Sequence, residues 1–417
     1  MKIFFFSEDL VMNFGVFVFF LIFSMLLFML IISIRSLFIK KTWKKFEPSV
    51  SVVIPMHNEA KNISACLNSV LNSRYNNKIE IICVDDGSVD NTVNVVKKLR
   101  KKHKNIKLIS EEHKGKVHAL NVGVLATKYD YIMTVDADTT LDKKFMSEVI
   151  KPFSNKNVGA TNGIILIHNE MNLLGTFEKV EYHLNNLIRN SFSKVLGNGI
   201  WFFGAAACFN KKILKKAGLF SASVLTEDMD ISLSIYKLGY QVITVENAIY
   251  YTNPNSTLLE LVNQRMRWFY GGLQSVKKHI ALMKSDSWAI KFLYFSQYFW
   301  AVYSVLIIPL VVYQVFYWMP KGALEIIYYL FRWFTLLGPS YVIYKIPEWG
   351  LSLLNIFGVC SGIISTFTII IALRKERFRY KHLFVIFFYF PYTLLLNFAL
   401  VVSLIKYGRK KTKYFLK

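Results

Sequence analysis

The sequence predicts an α/β domain with a mostly parallel sheet, carried between membrane-spanning helices. Three observations carry that expectation. Between Pro48 and about Ser287, short apolar runs alternate with helix-length stretches, the pattern of a sheet wrapped in helices. Val11 to Ile34 holds no charged residue and exceeds the about 20 apolar residues that a bilayer crossing needs. After Trp288 the chain is apolar almost to its end.

Composition agrees. Hydrophobic residues make up 53% of the chain and charged ones 19%, too apolar for a purely soluble protein of 417 residues. Lys and Arg total 51 against 27 Asp and Glu, a net charge of +24 that calls for a polyanionic neighbour. The basic residues cluster beside the apolar runs, at Lys40-Lys41, Lys44-Lys45, Arg374 to Lys381 and Arg409 to Lys413. That placement favours a lipid bilayer as the partner and no nucleic acid. The soluble stretch also lacks the basic–aromatic pattern of a nucleic-acid binder. Cys66, Cys83, Cys208 and Cys360 are too scattered for a zinc site or a small disulfide framework, and three of them read as buried thiols of a reducing cytosol.

Residues 11–34 are expected to form the first transmembrane helix. Glu8 and Asp9 precede it, while Arg35 and four lysines follow, which places the chain from about residue 35 onward in the cytosol. The run is too long for a cleaved leader, and no small-residue cleavage site follows it. Residues 48–255 then form the α/β domain, 256–287 interfacial helices, and 291–406 a membrane region with candidate spans at 291–316, 322–344, 350–373 and 383–406. Three or four of these cross, and the number decides on which side Arg374 to Lys381 lies. Pro391 is placed to kink the last one.

Within the domain, strands are read at Val50 to Ile54, Ile79 to Val84, Ile106 to Ile109 and Tyr131 to Val135, with helices near 59–72, 90–102 and 116–127. Ligands of a parallel α/β sheet bind beyond the carboxyl ends of its strands. Pro55, Asn58 and Glu59 end the first strand and Asp85-Asp86-Gly87 the second, so both clusters fall on one rim. An ordinary turn explains the second cluster alone; the pair points to a nucleotide. Asp136 and Asp138 close the fourth strand at i and i+2, spaced to share one divalent cation, Mg2+ or Mn2+, although a solvated acidic loop looks the same. Lys116 opens a helix, where an ammonium group meets phosphate or plain solvent.

Thr226-Glu227-Asp228 precedes a helical run. Thr226 suits an N-cap and the acids suit the helix dipole; the alternative makes Asp228 a general base. In Gln264-Arg265-Met266-Arg267-Trp268, residues 264, 267 and 268 share a helix face, and amide, guanidinium and indole together suit a sugar phosphate. An Arg/Trp anchor at lipid headgroups is the other reading.

Taken in order, these motifs and the flanking apolar runs resemble the family 2 processive glycosyltransferases, the cellulose, chitin, hyaluronan and poly-N-acetylglucosamine synthases. The likeness covers the chain from about residue 11 to its end. It implies a GT-A fold and inverting transfer from a UDP-sugar donor to a growing, β-linked polysaccharide acceptor that is exported. It makes Asp228 the catalytic base and Asp136 and Asp138 the metal ligands. Donor binding falls to Pro55, Asn58, Glu59, Asp85, Asp86, Lys116, Asp136, Gln264, Arg265 and Arg267. Acceptor binding falls to Gly204 (in the loop Phe202 to Ala206), Glu227 and Trp268. A small accessory membrane subunit is a further candidate partner. The single N-terminal span and the Gln-Arg-x-Arg-Trp form lean towards poly-β-1,6-N-acetylglucosamine synthases. Where that subgroup shows a Thr-Gly-Asn-like stretch, this chain has Ala160-Thr161-Asn162-Gly163-Ile164. Two other readings are a transferase adding one sugar to a membrane lipid and a catalytically dead membrane subunit.

Overall fold

The computed structural model describes residues 8–168, 172–317, 353–376 and 380–408. A long apolar helix, α1 (Glu8–Phe38), leads into alternating strands and helices: β1 (Val50–Met56), α2 (Ile63–Leu71), β2 (Ile79–Asp86), α3 (Thr92–Lys102), β3 (Ile106–Glu111), α4 (Lys116–Leu125) and β4 (Tyr131–Val135). Every residue of β1 is buried, as expected for a parallel strand covered on both faces. Helix α4 lies so close to β1 that a Cβ on Gly123 would come within 2.3 Å of Val53 Cγ1.

The second half contributes β5 (Thr140–Leu141), α5 (Phe145–Val149), β6 (Val158–Ile167), α6 (Leu173–Leu196), β7 (Ala206–Asn210), α7 (Lys211–Lys216), α8 (Glu227–Lys237) and β8 (Gln241–Thr252). All eight strands form one sheet in the order β3-β2-β1-β4-β7-β6-β8-β5. The β1–β2, β1–β4, β2–β3 and β6–β8 pairs are parallel, and β7 is antiparallel to both neighbours. The sheet is therefore mixed but mostly parallel. Its main core joins β1, β2, α2 and α5, and a second cluster packs α7 and α8 on the opposite face. Cys66, Cys83 and Cys208 are buried free thiols in this domain.

Four more helices, and one beyond them, complete the described chain: α9 (Leu258–Lys278), α10 (Trp288–Tyr317), α11 (Leu353–Leu373), α12 (Tyr380–Phe387) and α13 (Tyr389–Gly408). A capping box between Thr257 and Glu260 starts α9. The expectation of one N-terminal and three to four C-terminal spans needs correction. Among the described residues, two helices are long and apolar enough to cross a membrane, Asn13–Phe38 and Ile356–Leu373. The start of α10 instead belongs to the domain, because Ala289, Ile290 and Leu293 pack with Met229 and Leu233 of α8. The candidate span 322–344 lies outside the described residues. The 383–406 stretch is divided at Phe388, three residues before Pro391, which has no N–H to give the Phe387 carbonyl.

Helices α1 and α11 run side by side in one direction. The Phe357 ring meets Phe20 and Phe23 at 5.4 and 5.5 Å. At the far ends, Ser36 bonds Ser191 of α6 at 2.8 Å, and Lys375 pairs with Glu246 of β8 at 2.7 Å. Arg374 and Lys375 thus stand on the same side as the α/β domain and the basic stretch after α1.

Candidate active site

Parallel registry brings the ends of β1 and β2 level, with Met56 opposite Asp85, so Pro55 lies in the rim beside them. Asn58 adopts a left-handed φ of +56°. From there its Oδ1 accepts the Val89 N–H at 2.9 Å and its own N–H donates to Ser88 Oγ at 2.9 Å, tying the two strand-end turns together. Glu59 Oε2 accepts from Asn62 at 2.8 Å; burial lifts its pKa, opposed by that bond and reinforced by Asp138. Asp85 is buried and accepts the Ser88 N–H at 3.3 Å.

Asp86 organises the turn into α4. Its carboxylate accepts the N–H groups of Lys114 and Gly115 at 2.8 and 2.9 Å, and His113 Nδ1 lies 2.9 Å away. His57 Nδ1 donates to the Asp86 carbonyl at 2.7 Å, and the two imidazole rings face each other at 4.4 Å. Gly87 and Gly115 take φ of +71° and +94° to make these turns, which a side chain would strain.

One residue on, Lys116 joins three motifs. Its Nζ lies 2.8 Å from Asp136 Oδ1 at the end of β4 and 3.0 Å from Glu227 Oε1 at the start of α8. Burial opposes the ammonium charge, but Asp136 and Glu227 outweigh it and raise the lysine pKa. Burial pushes Asp136 up to about 6 even with Lys116 beside it, and Asp138 adds to the rise. Glu227 goes the other way: burial would raise it, but Lys116 and, further off, Arg267 hold it low.

Asp228 follows Glu227 in the first turn of α8. Burial and the neighbouring Glu227 charge push it up to about 6. Its Oδ2 accepts the Gly204 N–H and its Oδ1 the Met229 N–H, both at 2.8 Å. A Cβ on Gly204 would sit 2.4 Å from Asp228 Cβ, so only glycine lets the loop approach. Thr226 does not cap α8 with its side chain, contrary to the sequence expectation; its Oγ1 turns to Ser275 Oγ on α9 at 3.2 Å. Gly271 permits that contact, since a Cβ there would come within 2.6 Å of Thr226 Cγ2.

The Gln264–Trp268 motif divides. Arg267 is exposed, with its charge acting on Glu227, and Trp268 packs on Phe203 at 5.8 Å beside the Gly204 loop. Arg265 stacks on Trp268, its guanidinium 4.3 Å from the ring centroid. Its buried guanidinium makes a two-pronged pair with Glu181 at 3.0 and 2.7 Å and also bonds Gln264. Gln264 further accepts from Asn255 at 2.9 Å, and Tyr392 of α13 donates to Glu181. Three N–H groups of Arg265 thus serve a network that joins α6, α9 and α13.

Asp136 and Asp138 offer only oxygen, and Asp138 lies near enough for its charge to act on Asp136, whose own partner is Lys116. That set fits a hard divalent ion. Among the described residues, the one trio of metal-type ligand atoms within 4.8 Å of each other is elsewhere, at His57, Asp86 and His113. There His57 Nδ1 donates to a carbonyl, its Nε2 lies 3.0 Å from Asn58 Nδ2, and each Asp86 carboxylate oxygen accepts a backbone N–H, so the trio serves as a hydrogen-bonded knot. The roles of His113, Gly115 and Gly271 were not legible in the sequence. Glycines opening one helix and lying inside another were the available signal for close approach.

A mixed α/β sheet that gathers acids, a lysine and an arginine past its parallel strand ends is a GT-A-like glycosyltransferase fold. Residues 51–217 match the model of Glycosyl transferase family 2, and this part of the chain is a family 2 glycosyltransferase domain. The chain is 32% identical over 241 residues to a poly-beta-1,6-N-acetyl-D-glucosamine synthase of Staphylococcus epidermidis, covering 57% of this chain and 58% of that protein. It is 30% identical over 251 residues to the synthase of the same name from Staphylococcus aureus strain COL, covering 60% of each. It thus spans about three-fifths of the length of these curated relatives. A mannosyltransferase from Pyrobaculum calidifontis, solved with GDP-Man and Mn2+, shares the fold at a TM-score of 0.62 and 17% identity, covering 95% of this chain and 98% of that one.

Proposed function

We propose that the protein is an inverting, UDP-sugar-dependent transferase that lengthens a β-linked polysaccharide at a membrane and passes it outward, with N-acetylglucosamine as the sugar. The observation that carries this is the single ammonium of Lys116 holding Asp136 and Glu227 together beside Asp228. It supports one reaction centre assembled from motifs that lie far apart in sequence. The likeness to the staphylococcal synthases supports the choice of sugar.

Asp85, Asp86, Pro55, Asn58 and Glu59 would receive the nucleoside end of the donor. Asp136 and Asp138 would hold Mg2+ or Mn2+, which when bound offsets diphosphate charge; the structural neighbour was solved with Mn2+. Arg267 and Lys116 add positive charge where the leaving diphosphate gathers negative charge. Asp228 takes the proton from the acceptor hydroxyl onto a carboxylate oxygen, and a pKa near 6 suits a base working close to neutrality. Glu227, Gly204 and Trp268 line the acceptor side, the indole offering a flat face to a sugar ring. Exposed Phe17, Phe20 and Ile31 on α1, and Ile363, Phe367 and Ile370 on α11, support the membrane location.

The test is UDP release from UDP-N-acetylglucosamine, UDP-glucose and UDP-glucuronate in membranes, followed by product sizing. The expected result is release from the first donor, lost on chelation and restored by Mg2+ or Mn2+, with a polymeric product. A lipid carrying one sugar would contradict the polymer reading, and no release from any donor would contradict the enzyme reading.

A further inference from the structure

Arg189 sits on α6 with no exposed surface. The other fully buried arginine, Arg265, has glutamates beside it, whereas Arg189 pairs with no carboxylate among the described residues. Its Nε has no hydrogen-bond partner, and its two bonds are long, at 3.4 Å to Asn186 Oδ1 and 3.5 Å to the Gly163 carbonyl. Burial lowers its pKa to about 10, with Tyr250 and Asp228 opposing the fall, so it stays charged at neutrality. Burying a cation without an anion is unfavourable and persists where the placement serves something else.

Its close contact is the face of Phe203, 4.0 Å from the ring centroid, a cation–π geometry. Asn162 of β6, also fully buried, donates to the Phe203 carbonyl at 3.3 Å. Phe203 is therefore held twice, by its ring from α6 and by its backbone from β6. The next N–H, that of Gly204, is the one bonded to Asp228. Further along, the Ala205 carbonyl accepts the Asp136 N–H at 2.8 Å. Two residues before Phe203, Trp201 takes a left-handed φ of +49°, a strained conformation that the surroundings must maintain.

We propose that Arg189 and Asn162 are positioning residues for sugar transfer: by gripping Phe203 they fix the Gly204 N–H on Asp228 and keep that carboxylate aimed at the acceptor hydroxyl. The inference rests on Asp228 being the base. It adds Arg189, which lies in none of the motifs, as support beneath the site.

The experiment compares purified Arg189→Met, Arg189→Lys, Phe203→Leu and Asp228→Asn with wild type, measuring kcat, donor KM and the pH profile of transfer. Arg189→Met and Phe203→Leu are expected to lose at least roughly tenfold in kcat with donor KM changed less than about twofold, because alignment and not donor binding is disturbed. Their acid limb should also move to higher pH, since Asp228 loses a fixed donor and, in the first variant, a nearby positive charge. Arg189→Lys keeps the charge without the flat stacking group and should fall between. Should Arg189→Met not fold, Phe203→Leu decides alone, since it retains Arg189. Wild-type kcat and an unmoved acid limb in folded Phe203→Leu would overturn the inference. Inactive Asp228→Asn beside such an unaffected variant sinks this inference only; an active Asp228→Asn sinks the base reading as well.

Discussion

Asp228 and Asp136 make opposite demands on activity and on stability. Both have pKa values raised to about 6, chiefly by burial, so both lose their charge as pH falls through that value. A base must be ionised, so transfer is expected to decline as pH drops through about 6 and to recover above it. Stability runs the other way. A carboxyl whose folded pKa lies above its unfolded one favours the protonated fold, so its contribution is full below the ordinary carboxylate range and is lost as pH rises through about 6. Asp228→Asn removes a buried charge and should therefore melt no lower than wild type at neutral pH, with the gap closing at about pH 5. Thermal shift at the two pH values checks this; a variant that melts well below wild type at neutrality would show that the charged form stabilises the fold.

Helices α6 and α9 carry what the motifs alone did not reveal. The ends of β1, β2 and β4 were legible because parallel strands give short apolar runs, and the acids past them fall on one rim by topology. The Gln264–Trp268 face was legible as a helix pattern, but helical spacing cannot say which side chain meets a buried partner. Glu178 and Glu181, buried acids of α6, pair with Arg265. Breaking one side of such a pair strands a buried charge, so Arg265→Met should lower stability by about 3–5 kcal/mol. In Arg265→Met/Glu181→Leu the loss should be much smaller than the two single losses combined. Denaturant titration of the cycle measures it; additive losses would mean that the pair is not coupled. Arg189 and Gly271 also escaped the sequence, since a cation–π grip and a close helix crossing each join segments remote in the chain. The break at Phe388, by contrast, was legible, because Pro391 marks a kink in the last apolar run.

The described residues join the α/β sheet to a pair of apolar helices, α1 and α11. Among the described residues two helices are long and apolar enough to cross a membrane; the expected span 322–344 lies outside them, and the start of α10 packs on α8. With α1 and α11 parallel and both ending against α6 and β8, the lysines after each face one compartment. Single cysteines at Lys44 and Lys375, in a background without Cys360, should therefore both react with an impermeant maleimide in inside-out vesicles and neither in sealed right-side-out ones. Labelling from opposite sides would contradict the parallel arrangement. On the proposed function, the compartment those lysines face would be the one that supplies sugar nucleotides to the Lys116-centred cluster.

The central claim is that Asp228 does chemistry at a site that binds donor without it. The direct measurement pairs UDP binding by calorimetry with sugar transfer for purified Asp228→Asn. UDP affinity within about twofold of wild type, with transfer reduced at least ~100-fold, is the predicted result. Transfer at the wild-type rate would contradict it.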